Sequence, residues 1–412
     1  MPTYHASWVL PIAGPPIHDG WVRTHGGRIE AVGADADHRR EGRHASDEVD
    51  LGSVAVMPAL VNAHTHLELS WLKGRVAPAD HFIDWVMAHM DVRRSSVGAA
   101  NDDQARTAMR DALAAMRRSG TGIVGDVSNG LSNLDLLAAS GVVGVVFHEI
   151  LKFNPSDPTA FVAKAQSRID QVPDVEGWRF AVAPHAPYST APGIFEAIRD
   201  LREPSRVVPT SVHVGESPEE MELLETGGGR WREVLDALGS WDPAWEVPWS
   251  GPIGYLNRMR FWDSRTLAVH GVQLSDTELG LLAARGATLV TCPRSNVYVG
   301  VGSPPVARFF KSGAPMAVGT DSLASVQDLN LFSELAELHR LAPAVPASRL
   351  IAAATTNGAH ALGLGQQYGS IQVGCRAALL AVSIPADMVD VEQYLVSGIS
   401  PDQVTWIDSP TC

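Results

Sequence analysis

Cysteine is scarce. Cys292, Cys375 and Cys412 are the only three in 412 residues, and no pair stands in a Cys-x-x-Cys spacing. That excludes a disulfide framework and a zinc site held by thiolates. The chain also lacks any run of Lys or Arg: 32 basic residues face 46 acidic ones, for a formal charge of −14. Without a basic stripe there is no electrostatic footprint for a phosphate backbone, so no nucleic-acid partner is expected. No apolar stretch approaches the roughly 18 residues that a spanning helix needs, so no membrane partner is expected either. The first apolar run, Trp8 to Ile12, has no basic segment before it and is broken by Gly14, Pro15 and Pro16. This is unlike a secretory leader, and the expected location is the cytoplasm. Apolar residues make up 45% and charged residues 19%, which excludes disorder and a fibrous repeat. What is abundant is histidine, at fifteen.

The first fifty residues read as short strands and turns. Ser7–Ile12, Gly20–Thr24 and Ile29–Val32 are punctuated by Asp19-Gly20 and Gly26-Gly27. After Val54–Pro58 the texture changes to strand-like runs alternating with stretches of helical periodicity. The runs are Gly122–Asp126, Gly141–Phe147, Arg179–Ala183, Pro209–Val214, Thr266–His270, Ala287–Cys292 and Met316–Gly319. Asp102–Ser119, Pro192–Arg202 and Thr277–Ala284 carry apolar residues at helical spacing. Such alternation over about 300 residues predicts a parallel α/β sheet, open or closed into a barrel. The tail returns to strands at Gly369–Val373, Ala377–Ser383 and Gln403–Ile407. Residues 226–256 stand apart, with Gly227-Gly-Gly229 and four Trp, and read as a long inserted loop. A loop of that length is either a lid over a site or a surface excursion packed by its own rings. The same segment offers a surface to a second copy, which leaves a homodimer open.

The strongest chemical signal is Asn62-Ala-His64-Thr-His66, directly after the apolar run Val54–Val61. Residues i and i+2 of a strand point to one side, so both imidazoles can face one point at its C-terminal end. Neutral imidazoles at that spacing suit Zn²⁺ or Fe²⁺. Four later strand-like runs also end in an ionisable residue: His185, His213 (with Glu216 three residues on), His270 and Asp321. Each alone reads as a buried, hydrogen-bonded group. Jointly they point to a site, because a closed barrel gathers its strand ends into one ring.

These segments, with Pro184-His-Ala-Pro-Tyr188, Cys292-Pro-Arg-Ser-Asn296 and Gly319-Thr-Asp-Ser322, resemble the amidohydrolase superfamily. The similarity is greatest to its branch of deaminases and chlorohydrolases acting on aromatic bases and triazines, and it covers nearly the whole chain in motif order. The resemblance implies a distorted (β/α)8 TIM barrel with a small β-sandwich built from both chain ends. On that basis residues 1–56 and 366–412 are expected in the sandwich and 57–365 in the barrel, with 226–256 inserted.

Carried over position by position, the resemblance makes His64, His66, His213 and Asp321 ligands of one divalent metal ion, Zn²⁺ or Fe²⁺. It makes Glu216 the proton shuttle, gives His270 and Asp321 the attacking water, and puts His185 beside a small-molecule substrate. Lys152 stands several residues past the strand run before it, so the bridging lysine of binuclear members has no counterpart and one metal is expected. The implied reaction is hydrolytic deamination of an aminated purine-nucleoside-like compound. His66-Leu-Glu68-Leu-Ser70 together with the Cys-Pro-Arg-Ser-Asn segment resembles enzymes acting on 6-amino-6-deoxyfutalosine, an intermediate of menaquinone biosynthesis. Asp84, in Ile83-Asp-Trp85, matches a position that contacts ribose hydroxyls, and Glu68 either reaches the substrate or orients His66. Dechlorination or amide hydrolysis of another small molecule is the alternative on the same scaffold. Cys292, His148, His339 and His360 read as structural or surface residues.

Overall fold

The computed structural model describes residues 1–38, 47–96, 99–202 and 208–408. Cys412 lies outside them. Eight strands of the middle of the chain are parallel and fall into two sheets of four. The first holds β6 (Leu60–Thr65), β7 (Thr121–Ser128), β8 (Val143–Ile150) and β9 (Trp178–Pro184), in chain order. The second holds β10 (Thr210–Val214), β11 (Thr266–His270), β12 (Thr288–Thr291) and β13 (Met316–Val318). Almost every residue of these strands is buried, which is why they read as continuous apolar runs without alternation. Helices connect successive strands, as parallel pairing requires.

The described residues contain no continuous eight-stranded ladder, so the closed barrel expected above is not met as a single sheet. The two half-sheets nevertheless touch along both seams through hydrogen bonds at their C-terminal ends. The His213 N–H donates to the His185 carbonyl at 2.9 Å, and the Thr320 and Asp321 N–H groups donate to the His64 carbonyl at 3.1 Å. The strand ends bearing the predicted chemistry are therefore brought together.

Both chain ends meet in one seven-stranded sheet, ordered β15–β14–β5–β1–β2–β3 with β4 on β1. Its members are β1 (Thr3–Val9), β2 (Ile17–His25), β3 (Arg28–Ala34), β4 (Glu48–Asp50), β5 (Val54–Pro58), β14 (Leu379–Ser383) and β15 (Val404–Asp408). The ends pair as expected, but in a single hydrogen-bonded sheet; a second sheet that would make it a sandwich is not present among the described residues. Gly369–Val373, expected as a strand, is not one. Gly369 and Gly374 both have φ +91°, which breaks the extended run, and Ile371 is held instead by its N–H to the Pro11 carbonyl. Residues 226–256 are not loop throughout, since they contain the helix Arg230–Ala237. Trp241 and Trp245 of this segment sit against Phe153, with ring centroids 5.5 Å away.

Candidate active site

His64 is the most enclosed of the predicted ligands. A register shift between Asn62 and Thr65 in the β6–β7 ladder bulges the strand, the kind of irregularity that re-aims side chains. The His64 and His66 rings stand 4.9 Å apart at 83°, and His213 lies 4.9 Å from His64 and 5.4 Å from His66. One ring nitrogen of each of these three lies within 4.8 Å of the others. Asp321 completes the group, its Oδ1 3.9 Å from His64 Nε2 and 3.6 Å from His66 Nε2.

The chemistry of this donor set fits a divalent cation. Both ring nitrogens of the fully buried His64 lack a hydrogen-bond partner, a costly arrangement unless something else occupies the lone pair. Burial and the neighbouring imidazoles hold His64 and His66 well below the usual histidine range, and burial holds His213 near 4. All three are therefore neutral at pH 7, the form in which imidazole binds a metal. His213 Nδ1 bonds to the His185 carbonyl at 2.9 Å, which leaves Nε2 with the lone pair.

The carboxylate of Asp321 is braced from the far side. Its Oδ2 accepts from Ser295 Oγ at 2.6 Å and Ser325 Oγ at 3.2 Å, and its Oδ1 accepts the Ser322 N–H at 2.8 Å. Burial pushes this acid up to about 6 against the pull of those three donors. His270 stands 3.5 Å from Glu216 Oε1 through its Nε2, and Asn296 Nδ2 lies 3.0 Å from its Nδ1. Burial raises Glu216 well above the carboxylate range, helped by the charge of Asp321. His270 and Asp321 have φ +78° and +60°, which is uncommon for residues with a Cβ and clusters where function over-determines the backbone. The Cys-Pro-Arg-Ser-Asn segment thus braces two site residues at once, through Ser295 and Asn296. The Cys292 thiol is fully buried and pushed up by that burial, in keeping with a structural role.

His66, His185, His213, Glu216, His270 and Asp321 line one narrow cleft of about 140 Å³. Two predicted substrate contacts stand outside its lining. Glu68 is spent on the end of β7, accepting from Ser128 Oγ and the Asn129 N–H at 2.9 Å and the Gly130 N–H at 3.1 Å. Asp84 is half-exposed and paired with Arg230 at 2.5 Å, tying the inserted segment to the helix Phe82–Ser95. Neither Lys152 nor His148 lines the cleft: Lys152 is exposed, and His148 Nδ1 sits 3.2 Å from the Ser128 carbonyl.

Sequence reasoning missed Glu149. It is buried, lines the cleft 3.6 Å from His213 Nδ1 and accepts from Asn129 Nδ2 at 2.9 Å. The signal was present, because Glu149 ends the third site strand as the histidines end theirs. The apolar run that marks that strand stops at Phe147, however, while the ladder continues to Ile150. Trp231 was also missed as a wall residue: it stacks on Tyr188 at 4.2 Å between ring centroids and covers the cleft from the inserted segment.

Comparison with known proteins places this geometry. The profile of the Amidohydrolase family matches residues 55–402. A 5-methylthioadenosine/S-adenosylhomocysteine deaminase from Nitratidesulfovibrio vulgaris is 30% identical over 383 residues, covering 90% of this chain and 80% of the relative. An aminodeoxyfutalosine deaminase from Deinococcus radiodurans is 29% identical over 353 residues, covering 84% and 81%. A solved structure of an adenosine deaminase from Xanthomonas campestris with bound zinc superposes with a TM-score of 0.80 at 30% identity, covering 98% of this chain and 90% of that one.

Proposed function

The chain belongs to the amidohydrolase family and is a hydrolase of carbon–nitrogen bonds; from that premise we propose that it removes the amino group of an adenosine-like substrate, with 6-amino-6-deoxyfutalosine as the specific compound. The observation that carries the reaction is the buried pairing of His270 Nε2 with Glu216 Oε1 at 3.5 Å beside the three-histidine group. The named deaminases among its relatives support the adenosine-like class, and the aminodeoxyfutalosine deaminase supports the narrower substrate and a place in menaquinone biosynthesis.

In this reading His64, His66, His213 and Asp321 hold one divalent ion, with zinc favoured by the zinc-bound relative. When bound, that ion supplies Lewis-acid activation of the attacking water. His270 orients the water and accepts its proton as oxygen adds to the ring carbon that bears the amine. Glu216, kept protonated by burial, donates to the adjacent ring nitrogen, which makes that carbon electrophilic. His270 passes its proton to the exocyclic nitrogen while the added hydroxyl gives its remaining proton back to Glu216, so that the carbon–nitrogen bond breaks to leave a ring carbonyl and ammonia. His185, whose Nδ1 lies 2.6 Å from Ser189 Oγ, turns its other nitrogen to the substrate. Asp84 takes up its sugar contact as the pair with Arg230 opens, and Glu68 holds the β7 rim.

We read the two half-sheets as one distorted (β/α)8 barrel over residues 57–365, supported by the hydrogen bonds at both seams. Residues 1–56 and 366–412 form its small β companion, and 226–256 act as a lid through Trp231. The decisive test is Glu216→Gln on metal-loaded enzyme with 6-amino-6-deoxyfutalosine, adenosine and S-adenosylhomocysteine. Ammonia release is expected to fall by about 10²–10⁴-fold with metal content unchanged. Undiminished release would remove Glu216 from the mechanism. Chloride or a carboxylic acid released from triazines or N-acyl compounds, with no ammonia from any nucleoside, would favour the other chemistries of this scaffold.

A further inference from the structure

The site histidines are not all aimed in the same way. His213, His270 and His185 are each held through a ring nitrogen, by the His185 carbonyl, Asn296 Nδ2 and Ser189 Oγ respectively. His64 is fixed through its backbone, since its carbonyl takes the Thr320 and Asp321 N–H groups across the seam. His66 has neither kind of support. No hydrogen bond reaches its ring among the described residues, and Asp321 Oδ1 stands 3.6 Å from its Nε2, beyond bonding reach. Its carbonyl takes only the Leu69 N–H at 3.1 Å, within its own turn. The direction of this ring must therefore come from the chain on either side. Before it, Thr65 Oγ1 donates to the Asp321 carbonyl at 2.8 Å.

After it, the chain enters the 3₁₀ helix Leu67–Leu72, with His66 at the position whose side chain ordinarily caps the first free N–H groups. The imidazole belongs to the three-histidine group and makes no cap bond. The missing acceptor comes from the neighbouring strand. Asp126 is buried, stands opposite Thr65 in the β6–β7 ladder and accepts the Leu67 N–H through Oδ1 at 2.9 Å. The short helix returns an acid to β7, where Glu68 accepts from Ser128 Oγ and the Asn129 and Gly130 N–H groups. Two carboxyl groups are thus exchanged between the end of β7 and the turn that leaves His66. We propose, resting on the reading of His64, His66, His213 and Asp321 as ligands of one ion, that Asp126 is a positioning residue for His66. It holds the outgoing turn, and so the angle at which that imidazole meets the other ligands, with Glu68 as the opposing arm. A histidine that must face a metal cannot cap its own helix, and Asp126 takes over that task.

The test follows two properties of the full-length chain: zinc affinity by calorimetry, and the visible absorption of the Co²⁺-loaded protein, whose bands report how the ligands are arranged. Asp126→Ala is expected to weaken zinc binding about 10- to 100-fold and to shift the Co²⁺ bands. Asp126→Asn, which keeps an acceptor oxygen of the same reach, is expected to hold both close to wild type. Glu68→Ala removes the opposing arm and is expected to move both readouts in the same direction by less. A merely structural role would lower Tm and leave zinc affinity and the Co²⁺ bands where they were, and that result in Asp126→Ala overturns the assignment. Should Asp126→Ala fail to fold, Glu68→Ala decides, and wild-type affinity with unshifted bands in that variant overturns it equally. Wild-type protein that takes up neither zinc nor Co²⁺ defeats the ligand reading itself, whereas normal uptake by wild type with no change in the variants defeats the role of Asp126 alone.

Discussion

Glu220 is fully buried beneath the Glu216 turn, its Oε2 accepting the Glu216 N–H at 2.9 Å and its Oε1 without a partner. Burial raises it from 4.5 to about 8. The folded chain therefore keeps a proton that the unfolded chain gives up above about 4.5. This stabilisation is complete below pH 4.5 and is lost as pH rises through about 8. Its size is on the order of a few kcal/mol. Melting curves at pH 6 and pH 9 are expected to show a larger drop in Tm for wild type than for Glu220→Gln. Equal drops would mean that Glu220 is ionised in the fold. At this scale the sequence was informative wherever a residue type is rare and position-specific. His64, His66, His185, His213, His270 and Asp321 all end strand-like runs, and the structure brings all six to one place. Asp84 and Glu68 were less readable because an acid near a site looks the same in sequence whether it faces substrate, Arg230 or a ring of backbone N–H groups.

Among elements, the end of β13 approaches β6 so closely that Gly319 tolerates no side chain. A Cβ there would lie 2.7 Å from the His64 carbonyl oxygen, 2.8 Å from His64 Cβ and 3.0 Å from Cys292 Sγ. All three atoms are buried, so something must shift. Gly319→Ala is expected to cost about 1–3 kcal/mol and to weaken metal uptake, because His64 moves with the strand. Zinc titration by calorimetry beside a thermal melt checks both, and undiminished affinity would show that the ligands do not depend on this contact. The helix Asp276–Arg285 gives a simpler case. Ser275 and Glu278 form a capping box, and Ser275→Ala should cost about 1 kcal/mol in a denaturant melt without changing activity. Most strands and helices were legible because buried parallel strands are apolar throughout and helices keep their period. Gly369–Val373 misled because its apolar alternation is genuine while positive φ at Gly369 and Gly374 denies it a ladder. Whether eight strands close cannot be read from any one of them, since closure is a matter of register between segments far apart in sequence.

For the whole molecule, the proposed ligands come from both half-sheets: His64 and His66 from the first, His213 and Asp321 from the second. An ion held by all four is a cross-link between the sheets as well as a reagent. Chelation followed by scanning calorimetry is expected to lower Tm by several degrees and re-addition of zinc to restore it, since an ion at a hundredfold its Kd contributes about 2.7 kcal/mol. An unchanged Tm would mean that the seam hydrogen bonds alone hold the halves together. No described helix is long and apolar enough to cross a membrane.

One joint in the chain has a mechanical consequence. β5 belongs to the terminal sheet and β6 to the site, and only Ala59 stands between them, fully buried with its N–H on the Ala378 carbonyl. β5 is clamped on one side by β1 and on the other by β14. The terminal sheet is thus the anchorage from which the His64 strand is suspended, and slack in that anchorage is transmitted over a handful of residues to the three-histidine group. Force or loosening applied at the far end of the sequence, near β14, reaches the His64 strand by leverage, with no need to cross the two half-sheets.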